Sequence, residues 1–213
     1  MKVQYNYQIN QRRQKMNTKY QTIKEIDNYI GWIKVDKSEN TIYDYSRKIE
    51  RFFDFLNIET FEDVKSITIQ NCRDYVIHLS KDGLKMSSIN SNIRPLKALF
   101  SWLVESDHIS KSPFSKINPV KEPQREVDYL TTEEARATIK ACSRLEDKAI
   151  ISVLLTTGLR RSEITNLKLS NYNGTHLTFV GKGNKERSLP LLNDVKTLLN
   201  EYINLRNKKY GSS

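Results

Sequence analysis

From 108 to 129 the helical periodicity that marks the rest of this chain stops, and prolines stand at 113, 119 and 123 among lysines and serines. Proline removes a backbone donor and drives the residue before it out of the helical region, so the stretch is expected to be an extended connector. A chain of 213 residues cut at that point is expected to fold as two small units. The expected boundaries are a first unit at 20–110, a linker at 111–130 and a second unit at 131–213. Residues 1–19, rich in Gln and Asn and free of acids, are expected to form a flexible basic arm.

Apolar residues at helical spacing define the first unit. Ile23, Ile26, Ile30 and Ile33 make one stripe, and Ile42, Tyr45, Ile49, Phe52, Phe53 and Leu56 follow Ser38 as its cap. Cys72, Tyr75, Val76 and Leu79 make a third that ends near Gly83. Ile89, Ile93, Leu96, Phe100, Leu103 and Val104 make a fourth, with Pro95 inside it as an expected kink or local opening. The first unit thus reads as a four-helix domain. In the second, Thr131 caps a helix running to about residue 145, helices are expected at 148–157 and 161–169, and a last helix at 194–208. Between them, 176–180 alternates like a strand and enters the turn Gly181-Lys182-Gly183-Asn184, so a β-hairpin with its return strand at 187–191 is expected. The fold class is mainly α, with one small β-hairpin.

Charge narrows the range of partners. Lys and Arg number 35 against 25 Asp and Glu. The excess is uneven: residues 1–20 carry +5, 21–110 carry −2, 111–130 carry +1 and 131–213 carry +6. An arm and a second unit so basic point to a polyanionic partner; the arm also reads as an upstream extension if Met16 rather than Met1 is the start. No run of 18 apolar residues exists, so no membrane partner is expected. Cys72 and Cys142 have no CxxC or His-rich neighbourhood, which argues against a zinc site or a disulfide framework and for a reducing, cytoplasmic location.

Two motifs carry chemistry: Thr157-Gly158-Leu159-Arg160-Arg161-Ser162-Glu163, and Gly181-Lys182-Gly183-Asn184-Lys185-Glu186-Arg187 followed by Ser188-Leu189-Pro190-Leu191. Singly, the first is a glycine helix cap with surface arginines and the second a basic hairpin tip. Together they suit a phosphodiester. The guanidinium of Arg160 can hold two non-bridging oxygens and offset charge that builds at phosphorus. The amine of Lys182 can donate a proton to a departing 5′ oxygen.

With these motifs the sequence resembles the tyrosine recombinases, or phage integrases, over residues 20–208. The resemblance implies a SAM-like core-binding domain, a proline-containing linker and an α+β catalytic domain. It casts Arg160 as a catalytic arginine, Lys182 as the hairpin lysine and Glu163 as the partner that orients Arg160. Arg161, Lys185 and Arg187 become DNA-facing or hairpin-shaping residues. It implies double-stranded DNA carrying a specific recombination site as partner, a recombinase oligomer on that DNA, a bacterial, phage or mobile-element setting, and no metal or other cofactor, because bond energy is kept in a 3′-phosphotyrosyl linkage. The family completes its site downstream with a His-x-x-Arg box, a further His or Trp and a nucleophilic tyrosine. Here the histidines are 78, 108 and 176, with Lys81, Lys111 and Phe179 three residues on. Tyr202 and Tyr210 follow the hairpin too closely to be the nucleophile. The catalytic domain is therefore expected to be truncated and the chain inactive alone; the rival readings are a DNA-binding regulator that competes with a full-length recombinase, and an unrelated basic helical module that binds RNA or protein.

Polar residues opposite the apolar stripes supply further candidate DNA contacts: Thr41, Arg47, Lys48 and Arg51 on the second helix, and Lys85, Ser87, Ser88, Asn90, Arg94 and Lys97 on the fourth. Short hydroxyls near a helix start suit phosphates, and Asn90 or Arg94 could reach base edges; a merely solvated face is the other reading.

Overall fold

Ser38 and Thr131, the two caps read from sequence, both sit at helix starts in the computed structural model, which describes residues 19–121, 128–181 and 185–211. The chain divides into two units between Arg125 and Glu126. In the first, a 3-10 turn at Lys19–Thr22 precedes α1 (Lys24–Ile33), α2 (Glu39–Leu56), α3 (Phe61–Ser66), α4 (Ile69–Lys81) and α5 (Met86–Glu105). The Ser38 hydroxyl accepts the Thr41 N–H at 3.4 Å to open α2. Asn57 closes it in the left-handed conformation at φ 54°, which asparagine tolerates better than most residues.

The expected four helices thus become five. α3 was missed because six residues with one buried side chain, Val64, are too short to display a period. Its reciprocal cap between Thr60 and Asp63 holds two otherwise orphaned N–H groups. Pro95 does not interrupt α5, which is helical throughout, and it is among the buried residues of that helix.

The stripes converge on an aromatic centre. Phe52 meets Tyr75 at 4.9 Å between ring centroids and Phe114 at 5.4 Å, both edge to face, the arrangement that aromatic quadrupoles favour. Phe114 and Ile117 are buried in this core although they lie beyond residue 110. Asn90 on α5 fastens the same segment. Its Nδ2 donates to the Val120 carbonyl at 2.8 Å and its Oδ1 accepts the Val120 N–H at 2.7 Å. Residues 111–120, expected as the first half of a linker, therefore pack on the helical unit.

The second unit contains α6 (Thr132–Ala141), α7 (Leu145–Thr157), α8 (Arg161–Thr165), a 3-10 turn (Leu169–Asn171), β1 (His176–Val180), β2 (Glu186–Pro190) and α9 (Asn193–Tyr210). α6 ends four residues earlier than expected because Cys142 turns extended, and α7 starts earlier, with Glu146 and Asp147 in its first turn, where acids favour the positive end of the helix. α8 is likewise shorter than the expected 161–169. β1 and β2 pair antiparallel with His176 opposite Pro190 and Phe179 opposite Arg187. Leu177 and Phe179 point inward, alternating with the less buried His176, Thr178 and Val180, and join Val153, Leu159, Leu191 and Val195 in a small core.

Candidate functional site

Gly158 closes α7 at φ 64°, a left-handed turn that a side chain would strain. The turn sends Leu159 into the core and leaves Arg160 as the residue capping α8. An arginine side chain cannot accept a hydrogen bond, so the cap is made from the other direction. The Arg160 backbone N–H donates to Glu163 Oε2 at 2.7 Å, and its Nη1 donates to Glu163 Oε1 at 3.2 Å. Glu163 is buried with its side chain 7% exposed, while the Arg160 side chain is 60% exposed. The carboxylate is thus a fixed base plate, and the guanidinium stands on it facing solvent.

The Arg160 N–H bond is the largest influence holding the Glu163 carboxyl below its ordinary range; burial opposes it, and the Arg160 guanidinium and the nearby charge of Arg187 reinforce it. The hairpin reaches the same carboxylate. A Cβ on Gly181 would lie 3.3 Å from Glu163 Oε1 and 3.7 Å from Arg187 Nε, so a bare Cα lets the hairpin entry rest there. The Gly181 N–H donates to the Lys185 carbonyl at 2.8 Å and closes the hairpin loop. Arg160, Glu163, Gly181 and Arg187 therefore share one locality. The part of Gly181 escaped sequence reasoning, because its signal, a glycine next to a basic turn, looks the same whether or not a carboxylate lies beneath it. Lys182 lies outside the described residues. Lys185, Arg187 and Arg161 are exposed. Beyond Glu163, the Arg160 guanidinium makes no bond among the described residues, which leaves donors of its fork for a planar or tetrahedral oxyanion.

The candidates of the first unit separate into two sets. Lys85, Ser87 and Arg94 are exposed on α5, with Ser88 and Lys97 partly so. Arg47 pairs with Glu50 at 3.3 Å on the surface of α2, and Arg51 reaches Asp82 beyond α4 at 3.1 Å. The Thr41 hydroxyl lies 2.9 Å from that of Ser38. Lys48 and Asn90 are used internally. Lys48 bridges Asp44 at 2.5 Å and the Ser91 hydroxyl at 2.8 Å, tying α2 to α5, and Asn90 holds Val120 as described above.

The described histidines stand in structural settings: His78 stacks on Phe55 at 4.8 Å, His108 packs against Trp102 and Phe61, and His176 lies 3.0 Å from the Thr175 hydroxyl. Tyr202 is half-buried on α9, where burial, with Glu146 nearby, raises its pKa; Tyr210 is exposed at the helix end. Among the described residues no group of three His, Cys, Asp or Glu could hold a metal ion, and no helix is long and apolar enough to cross a membrane.

Residues 5–107 match the phage integrase N-terminal SAM-like domain, and residues 128–213, which contain the Arg160–Glu163 pair, match the phage integrase family. The chain belongs to the phage integrase family of tyrosine recombinases. It is 28% identical over 188 residues to tyrosine recombinase XerC of Staphylococcus carnosus, covering 84% of this chain and 63% of that protein. With tyrosine recombinase XerD of Rickettsia bellii the identity is 27% over 183 residues, covering 79% and 60%. The chain thus spans about three-fifths of the length of the curated relatives it matches. Its fold resembles that of a lambda integrase fragment, solved as a dimer bound to a COC′ core site, with a TM-score of 0.69 at 17% identity over 88% of this chain and 67% of that one. A lambda integrase tetramer bound to a Holliday junction gives a TM-score of 0.67 at 18% identity, covering 88% and 56%.

Proposed function

We propose that this chain is the DNA-binding and phosphate-activating part of a site-specific recombinase that cleaves and rejoins duplex DNA through a 3′-phosphotyrosine. The observation that carries the reading is Arg160, held by a buried carboxylate with its guanidinium open to solvent, within a family-matched sequence. In this role the guanidinium binds the two non-bridging oxygens of a scissile phosphate and stabilises the charge that develops as a nucleophile attacks. Lys182 gives its proton to the departing 5′ oxygen. Glu163 positions Arg160, and Arg161, Lys185 and Arg187 face the flanking phosphates. On the first unit, Lys85, Ser87, Ser88, Arg94, Lys97, Arg47 and Arg51 face the duplex, with Thr41 at the start of α2, while Lys48 and Asn90 shape that surface from within.

The roles proposed for residues 20–208 are the binding and polarising of a phosphate and the protonation of its leaving oxygen. The recombination site, an oligomer on DNA and a cytoplasmic location follow from the same reading. The test is fluorescence anisotropy with a labelled duplex over a series of salt concentrations. Affinity is expected to fall steeply as salt rises, because Lys and Arg neutralise phosphates and release counterions. Arg160→Ala is expected to weaken binding and flatten the slope by about one phosphate contact. A salt-independent affinity would sink the proposal.

A further inference from the structure

α2 and the first half of α5 meet along a polar seam. Lys48, one turn before Arg51 on α2, donates to the Ser91 hydroxyl on α5 at 2.8 Å. Ser87 and Arg94 stand one turn to either side of Ser91 on the same face of α5, and both are exposed. At the end of the seam, Arg51 Nη2 donates to Asp82 Oδ2 at 3.1 Å. Asp82 closes α4, and Gly83, at φ 75°, turns the chain toward Lys85 and α5. The pair thus joins two elements, 31 positions apart in sequence, on the surface proposed above to face the duplex.

Asp82 is bounded on its other side as well. His78 Nε2 stands 3.6 Å from the same Oδ2, with its ring stacked on Phe55 at 4.8 Å, so the carboxylate has little room to swing toward α4. The contrast with Glu163 is one of depth. Glu163 is buried beneath Arg160, whereas the Asp82 side chain is 39% exposed beside an Arg51 side chain that is 42% exposed. Both charges reach solvent, and they cancel. A phosphate drawn to this arginine meets the repulsion of the exposed carboxylate at the same place. An uncharged base pair meets no such penalty. One Nη2 bond leaves Arg51 an edge with two parallel N–H donors, which matches guanine O6 and N7. Asp82 Oδ1 accepts no bond among the described residues and matches the N4 amine of cytosine.

We infer that Arg51 and Asp82 together read one G·C pair in the major groove of the recombination site. Arg51 donates to the guanine, and Asp82 fixes Arg51 while accepting from the cytosine. The inference rests on the recombinase reading above and adds to it a determinant of sequence. Lys85 and Ser87, at the start of α5, hold neighbouring phosphates and set the register.

In the test, the full chain selects from a library of random duplexes, and the recovered sequences are compared with those recovered by Arg51→Ala, Arg51→Lys and Asp82→Asn. The chain is expected to recover a preferred sequence containing a G·C pair whose replacement by A·T weakens binding about 5- to 150-fold. Arg51→Lys keeps the charge and loses the fork, so both Arg51 variants are expected to flatten the preference at that pair and leave the other pairs unchanged. Asp82→Asn, nearly the same in shape, is expected to weaken the same preference and serves where Arg51→Ala lowers stability. Preferences unchanged in all three variants overturn the inference. So does full preference in Arg51→Lys, or a loss of affinity equal for all sequences with a salt slope lower by about one, the mark of a phosphate contact. Salt-dependent duplex binding without any sequence preference overturns this inference alone; salt-independent binding, or none, removes the recombinase reading with it.

Discussion

Glu163 accepts two hydrogen bonds from a single residue, the backbone N–H and the Nη1 of Arg160, three positions earlier in the chain. The first bond caps a helix and the second aims a side chain, so local folding and site geometry depend on the same carboxylate. The bare Cα of Gly181, against Glu163 Oε1, adds the hairpin entry to that arrangement.

Because the folded Glu163 carboxyl titrates below its ordinary value of 4.5, its contribution to stability is fully present above that pH. It is lost as pH falls through the lower folded value. Glu163→Gln is expected to lower the melting temperature of the second unit at pH 7 and to remove this component of its acid sensitivity. Parallel melting-versus-pH curves for the two proteins would contradict the assignment.

Asn90→Ala leaves the Val120 N–H and carbonyl without their side-chain partner. The expected cost is about 1–3 kcal/mol in urea unfolding of the first unit, with faster hydrogen exchange at the Val120 amide. If Asn90 served DNA alone, stability and exchange would stay as they are and only DNA affinity would drop.

Phe114→Ala empties a site against Phe52 and Phe100. A fully buried phenylalanine costs about 3–5 kcal/mol on truncation to alanine, and the loss should appear in the unfolding of the helical unit. A cost below about 1 kcal/mol would mean that residues 111–120 are not held to this core as the structure has them.

Incubated with a nicked suicide duplex and run on a denaturing gel, the chain alone is expected to form no covalent adduct, even with Arg160 and Lys182 intact. Burial raises the pKa of Tyr202, the wrong direction for a nucleophile that must lose its proton. An adduct that vanishes in Tyr202→Phe or Tyr210→Phe would overturn this.

Periodicity made the long helices legible, because α1, α2, α4 and α5 each turn several apolar residues to one side. α3 offers too little length for that signal. The spacing of Arg160 and Glu163 was readable as one helical turn, and the structure adds the depth at which the acid sits. What the sequence concealed were pairings across long separations. Lys48 to Ser91 spans 43 positions and Asn90 to Val120 spans 30, and a polar residue opposite an apolar stripe looks the same whether it meets solvent, DNA or another segment. Phe114 was hidden for a related reason: a lone aromatic among prolines carries no period, and its burial is decided by α2 and α5.

The Asn90–Val120 clasp also redraws where the first unit's rigid body ends. With Phe114 and Ile117 buried in its core and Val120 held from α5, ten of the residues expected to be linker move with the helices, so a proline-bearing strap and not a helix end is the last part of that body.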